Sequence, residues 1–108
     1  MVGDHQIDET MLVTRKAAKV RFREKVLSAW DYCCAYCAQP LGKNATLDHV
    51  HPKVKGGATH ESNIVACCLN CNSHKSAHPW REWFRGREYW SEAREIAIEN
   101  WIDSNVTG

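Results

Sequence analysis

The alternation of apolar and polar positions divides the chain into a helix, a hairpin and further helices. Between residues 15 and about 31, Ala18, Phe22, Val26, Ala29 and Trp30 recur at helical spacing. This predicts an amphipathic helix with Thr14 as its N-cap. Residues 45–50, ATLDHV, are rich in β-formers and predict a strand. A polar loop follows, with Gly56-Gly57 as its turn signal. Asn63-Ile64-Val65-Ala66 predicts a second short strand, and residues 69 to about 76 a helix. Pro79 suits the first position of another helix, about 79–85, in which Trp80, Trp83 and Phe84 share a face and Gly86 is the stop. In a last helix, about 91–103, Trp90, Ala93, Ala97 and Trp101 fall on one face. Tryptophans at helical spacing read as core side chains rather than as platforms for base stacking.

Composition narrows the class. The 108 residues are 44% hydrophobic and 25% charged, which describes one soluble folded domain with a thin core. No stretch nears the ~18 apolar residues that a membrane span needs. The first ten residues lack the basic and apolar regions of a secretory signal, so a cytoplasmic location is expected. The formal net charge of +1 conceals an asymmetry: residues 1–13 carry −3, residues 14–90 carry +7 and residues 91–108 carry −3. The middle is a basic body between acidic ends. On the first helix Lys16, Lys19 and Arg23 flank the apolar stripe on one side, and Arg21 and Lys25 on the other. A solvated face and a phosphate-facing one are both open readings there.

Six cysteines in a chain without an export signal point to metal rather than to disulfides. Cys34-Ala-Tyr-Cys37 and Cys68-Leu-Asn-Cys71 are two C-x2-C pairs, the spacing that closes thiolates onto one tetrahedral Zn²⁺. Cys33 and Cys67 offer alternative C-x3-C frames. The C-x2-C frames give the tighter knuckle and are preferred, which leaves Cys33 and Cys67 as small buried hydrophobes. Thirty residues separate Cys37 from Cys68, more than the ~15–20 of a simple zinc ribbon. The excess holds a strand, a loop and a strand. Zinc would staple both ends of this insertion and supply folding energy on the order of 10 kcal/mol.

The insertion carries Asp48-His49, His51 and Asn63. Asn72, His74 and Lys75 follow it. Phosphodiester hydrolysis needs a base, a divalent cation and cationic contacts to the backbone. Histidine suits the first of these near neutral pH, and Asp and Asn oxygens suit Mg²⁺ or Mn²⁺. The run LDHVHPKVKGG…SNIVACCLNCNSHK, over about residues 30–76, resembles the HNH endonuclease family in its zinc-stapled form. The elements that carry the resemblance occur in order: the first Cys pair, Asp-His-x-x-Pro, Gly-Gly, Asn-Ile-Val, the second Cys pair and the following Asn.

The resemblance implies a small ββα-metal core with a four-cysteine structural zinc site; with the flanking helices read from periodicity this makes an α+β fold, and the chain's length makes residues 1–108 a single nuclease domain. It implies that His49 is the general base, that Asn63 holds the base in orientation, and that Asp48 and Asn72 ligate a catalytic Mg²⁺ or Mn²⁺. The chain is then an H-N-N variant in a bacterial or phage setting, cutting DNA to 5′-phosphate and 3′-hydroxyl ends, as a monomer or a homodimer. His51, Lys75 and His74 are candidate phosphate contacts, with Arg81 and Arg85 weaker ones. The residues themselves raise one conflict. Neighbours on a regular strand face opposite ways, so Asp48 and His49 share a site only if the strand ends, twists or bulges there. Otherwise strand parity pairs His49 with His51. The main rival is a non-catalytic four-cysteine zinc module that binds DNA or protein. A zinc deaminase would need His-x-Glu, and here His60 and Glu61 are adjacent.

Overall fold

The structure, a computed structural model, describes residues 2–106, with side-chain environments for residues 14–105. Helix α1 spans Val2–Ala29, strand β1 Ala45–His49, strand β2 Ile64–Cys68, and helices α2, α3 and α4 Leu69–Lys75, Trp80–Arg85 and Glu92–Val106. Single 3₁₀ turns occupy Gly42–Asn44, Lys53–Lys55 and Glu61–Asn63. The strands form a two-stranded antiparallel sheet, with Ala45 opposite Cys68 and His49 opposite Ile64. This is an α+β fold in which the hairpin, with α2 packed against it, forms a ββα core. No helix among the described residues is long and apolar enough to cross a membrane.

Every β2 residue from Ile64 to Cys67 is buried, because the hairpin is covered on both faces. That explains its unbroken apolar run. The core gathers Val26 and Leu27 of α1, Tyr36 and Leu41 of the connecting segment, Trp83 and Phe84 of α3 and Ile98 of α4 around this strand. Tyr36 meets Trp83 and Phe84 edge-on at 5.1 and 5.3 Å, and Trp30 meets Trp101 at 6.1 Å. Trp101 Nε1 also donates to the Ile64 carbonyl at 2.7 Å. The arginines of α3 are structural: Arg85 forms a two-pronged pair with Glu95 of α4, and Arg81 pairs with Glu99.

Three sequence expectations change. The first helix begins at Val2 rather than near residue 15, so Thr14 lies inside it and is no N-cap; the sequence from 4 to 29 contains no Gly or Pro to stop a helix. Its buried stripe begins at Phe22, with Ala18 and Ala29 exposed. On α4 the inward stripe is Glu95, Ile98, Trp101 and Ile102, while Ala93 and Ala97 are exposed and Trp90 keeps 38% of its surface. Both faces fit a 3.6-residue period. The inward face carries Glu95, itself buried and paired with the half-exposed Arg81 and Arg85 of α3, a contact that hydrophobic periodicity does not register.

Candidate active site and metal centre

The Sγ atoms of Cys34, Cys37, Cys68 and Cys71 lie within 4.8 Å of one another, and Cys37 and Cys68 are 3.8 Å apart. A tetrahedral Zn²⁺ with bonds of about 2.3 Å holds its sulfurs about 3.8 Å apart. The first knuckle is shaped by Cys34 N–H donating to Gln39 O and Ala38 N–H donating to Cys34 O, with Ala38 at φ 69°. Arg94 reaches from α4 to clamp the Cys34 and Ala35 carbonyls at 2.9 and 3.1 Å. The second pair spans the end of β2 and the first turn of α2, where Cys68 Sγ caps the helix by accepting from Cys71 N–H.

The sulfurs that gather are those of the two C-x2-C frames, with Cys67 beside Cys34 rather than among the four. Cys33 Sγ turns to the Asp31 carbonyl and Cys67 Sγ to the Cys68 carbonyl. Hydrogen bonds from Cys67 and Cys71 hold the Cys34 thiol far below its ordinary range. Burial pushes Cys37 up to about 11, and the hydrogen bonds to Cys34 push Cys67 and Cys71 upward. A cation is what would let all four ligands ionise, so the donor set fits a thiophilic metal.

The catalytic candidates meet where β1 stops. Asp48 faces α2, only 3% exposed; Tyr36 Oη donates to its Oδ2 at 2.7 Å and Lys75 Nζ to its Oδ1 at 3.4 Å. His49 is the last strand residue, and its Nε2 lies 2.9 Å from Thr59 Oγ1. Asn72, covalently next to Cys71, donates through Nδ2 to Thr46 Oγ1 and the Leu47 carbonyl. Its Oδ1 accepts no hydrogen bond among the described residues. Asp48, His49 and Asn72 line one cavity of about 220 Å³, together with Lys53 and Ser76. The end of the strand is therefore what lets two neighbours share a site. Asp48 and Asn72 line the same cavity, and carboxylate and amide oxygens are the donor types that suit a hard divalent cation. Burial raises the Asp48 carboxyl, opposed by Lys75 and Tyr36. Burial also lowers the His49 imidazole, which favours the neutral ring that a base requires.

The connecting loop is stapled by Asn63. Its Oδ1 accepts from His51 N–H at 2.8 Å, and its Nδ2 donates to the His51 and Ala58 carbonyls at 3.0 and 2.9 Å. Ala58 precedes the Thr59 that holds His49. The Gly pair makes this closure feasible. Gly56 adopts φ 92°, and a Cβ on Gly57 would sit 1.8 Å from the His51 carbonyl oxygen.

Three expected phosphate contacts are not at the cavity. Lys75 is completely buried, its ammonium donating to the His49 carbonyl at 2.9 Å as well as to Asp48. One turn past Asn72 is the inward face of α2, where a buried carboxylate draws the cation in. His51 turns its Nε2 to the Lys55 carbonyl and lines a different cavity with Asn63 and Trp80. His74 accepts from Trp83 Nε1 at 2.9 Å, lies 3.2 Å from Arg87 Nη1 and borders the cysteine cluster. Sequence reasoning missed Lys53, Thr59 and Tyr36. The aromatic inside the first C-x2-C pair is a signal for Tyr36, but nothing local marks Thr59.

Residues 34–82 match the HNH endonuclease family. No curated protein matches the chain.

Proposed function

Because residues 34–82 belong to the HNH endonuclease family, we propose that the protein is a metal-dependent nuclease that hydrolyses DNA phosphodiester bonds to 5′-phosphate and 3′-hydroxyl ends. The observation that carries this reading is the single cavity shared by Asp48, His49 and Asn72. In the tautomer whose Nε2–H donates to Thr59 Oγ1, the Nδ1 lone pair of His49 is free. That atom takes the proton from the attacking water. Asn63 keeps the loop, and through Thr59 the imidazole, in place. Asp48 and Asn72 would hold a Mg²⁺ or Mn²⁺, which supplies electrostatic stabilisation of the pentacoordinate phosphorus and the departing oxygen. Cys34, Cys37, Cys68 and Cys71 would hold a structural Zn²⁺, which would fix Cys71 and so the neighbouring Asn72, itself bonded to Thr46 and Leu47 of β1.

Exposed Arg15, Lys16, Lys19 and Arg21 on α1 supply sequence-independent affinity for DNA. Arg23 and Lys25 are engaged elsewhere, with the Ala45 carbonyl and Glu61. The test is cleavage of supercoiled plasmid with Mg²⁺ or Mn²⁺ by the wild type and by His49→Ala. The wild type is expected to produce nicked or linear DNA, and the variant to be slower by at least about 100-fold. A wild type inert in every divalent metal would favour the non-catalytic zinc module.

A further inference from the structure

A lysine with no exposed surface is unusual, because burying an ammonium is costly unless it is paired and hydrogen-bonded. Lys75 is such a residue. Its Nζ donates to two acceptors, the Asp48 carboxylate on one side chain and the His49 carbonyl on the next peptide. It thus joins α2 to the final two residues of β1, the pair whose conflicting strand parity has to be reconciled for a shared site. Tyr36 grips the other oxygen of the same carboxylate at 2.7 Å. Between them the two donors fix the plane of the carboxylate, and Lys75 also bonds the His49 carbonyl, on a peptide whose N–H, from Val50, donates to Asn63 O.

We propose that Lys75 is the positioning residue of this site, aiming Asp48 and His49 at the cavity while touching no phosphate. This inference deepens the nuclease reading and rests on it. Two predictions separate it from the simpler idea that Lys75 grips the DNA backbone. A phosphate contact would contribute about 0.9 to the slope of log K against log salt. A positioning residue would contribute nothing to that slope, but would lower kcat and weaken the divalent cation held by Asp48.

The experiment compares wild type, Lys75→Met and Lys75→Arg, with folding monitored by thermal melting and bound zinc. Mn²⁺ affinity is read by electron paramagnetic resonance of the free ion. DNA affinity against salt is read by fluorescence anisotropy in a His49→Ala background. Plasmid cleavage is resolved into kcat and KM. For Lys75→Met we expect kcat lower by about 100-fold, KM within threefold, Mn²⁺ binding weaker by at least tenfold and an unchanged salt slope. Should Lys75→Met fail to fold, Lys75→Arg carries the test. Arginine keeps the buried positive charge opposite Asp48 but moves the donor atoms, so kcat and Mn²⁺ affinity fall with the salt slope preserved. A salt slope reduced by about 0.9 with KM raised would overturn the proposal, as would a folded variant with wild-type kcat and Mn²⁺ affinity. A wild type that cuts nothing would remove the nuclease reading, yet the Mn²⁺ measurement would still report on Lys75.

Discussion

Replacing Gly57 by alanine puts one methyl group where the backbone of the loop crosses itself. The new Cβ would stand 1.8 Å from the His51 carbonyl oxygen, 2.8 Å from its carbon and 2.9 Å from Asn63 Nδ2, where ordinary contact begins at 3.4 Å. Two of those atoms are backbone, so no side-chain rotation relieves the clash. The strands of the loop must separate by about 1.6 Å, the gap between those two distances. That displacement breaks at least two of the three Asn63 hydrogen bonds, a loss of about 2 kcal/mol at ~1 kcal/mol each. For a domain of this size the melting temperature falls by about 8 °C. Thr59, two residues on, moves with the loop and releases His49. A misplacement of that size costs on the order of 100-fold in rate.

Plasmid nicking, thermal melting and zinc content measured on one preparation test this. Zinc stays at wild-type content, because the cysteines lie outside the loop. Gly56→Ala is the control. Nothing lies within 4 Å of its Cβ, and φ 92° makes it strained without a clash, so it loses about 1 kcal/mol and little activity. A Gly57→Ala protein that melts within 2 °C of wild type and cuts within twofold would refute the close-approach argument.

Three further outcomes are expected. Stripping zinc with a strong chelator abolishes the near-UV circular dichroism of the buried aromatics, because the ~10 kcal/mol of metal binding is comparable to the whole stability of a small domain; an unchanged spectrum would show that the cluster holds nothing essential. The cleavage rate falls as pH falls, with a half-maximal point below the ordinary histidine value of 6.5, because burial lowers His49 and the base acts only when neutral; a midpoint above 6.5 would assign the base elsewhere. Ser76→Gly raises stability by about 1 kcal/mol, read as a higher denaturation midpoint, because Ser76 holds φ 49° and ψ −127°, a region that L side chains rarely adopt.

The parts of this fold that were legible in the sequence are those set by local chemistry. Two C-x2-C pairs announced the cluster, and an apolar run between polar loops announced each strand, because these signals need no knowledge of what packs where. The inward face of α4 was not legible. It carries Glu95, paired with Arg81 and Arg85 of α3, a tertiary contact between charged residues. Lys75 failed for the same reason: a lysine one turn past a site residue reads as a surface cation until its carboxylate partner is seen to be buried. The shared cavity of Asp48 and His49 hung on where one strand stops, and strand ends are among the features that local pattern defines least.

Helix α2 compresses three duties into seven residues. Cys71 belongs to the metal cluster, Asn72 to the cavity and Lys75 to the tether beneath it. Each residue added to a helix turns everything beyond it by about 100° and advances it 1.5 Å. One inserted residue after Cys71 would therefore swing Asn72 off Thr46 and Lys75 off Asp48 together, and no side-chain adjustment could restore both. The chain cannot change length here, whereas the turn at residues 42–44 lies outside this constraint. Insertions, tags and grafted loops belong at that turn, and the seven residues from Leu69 to Lys75 form an indivisible unit.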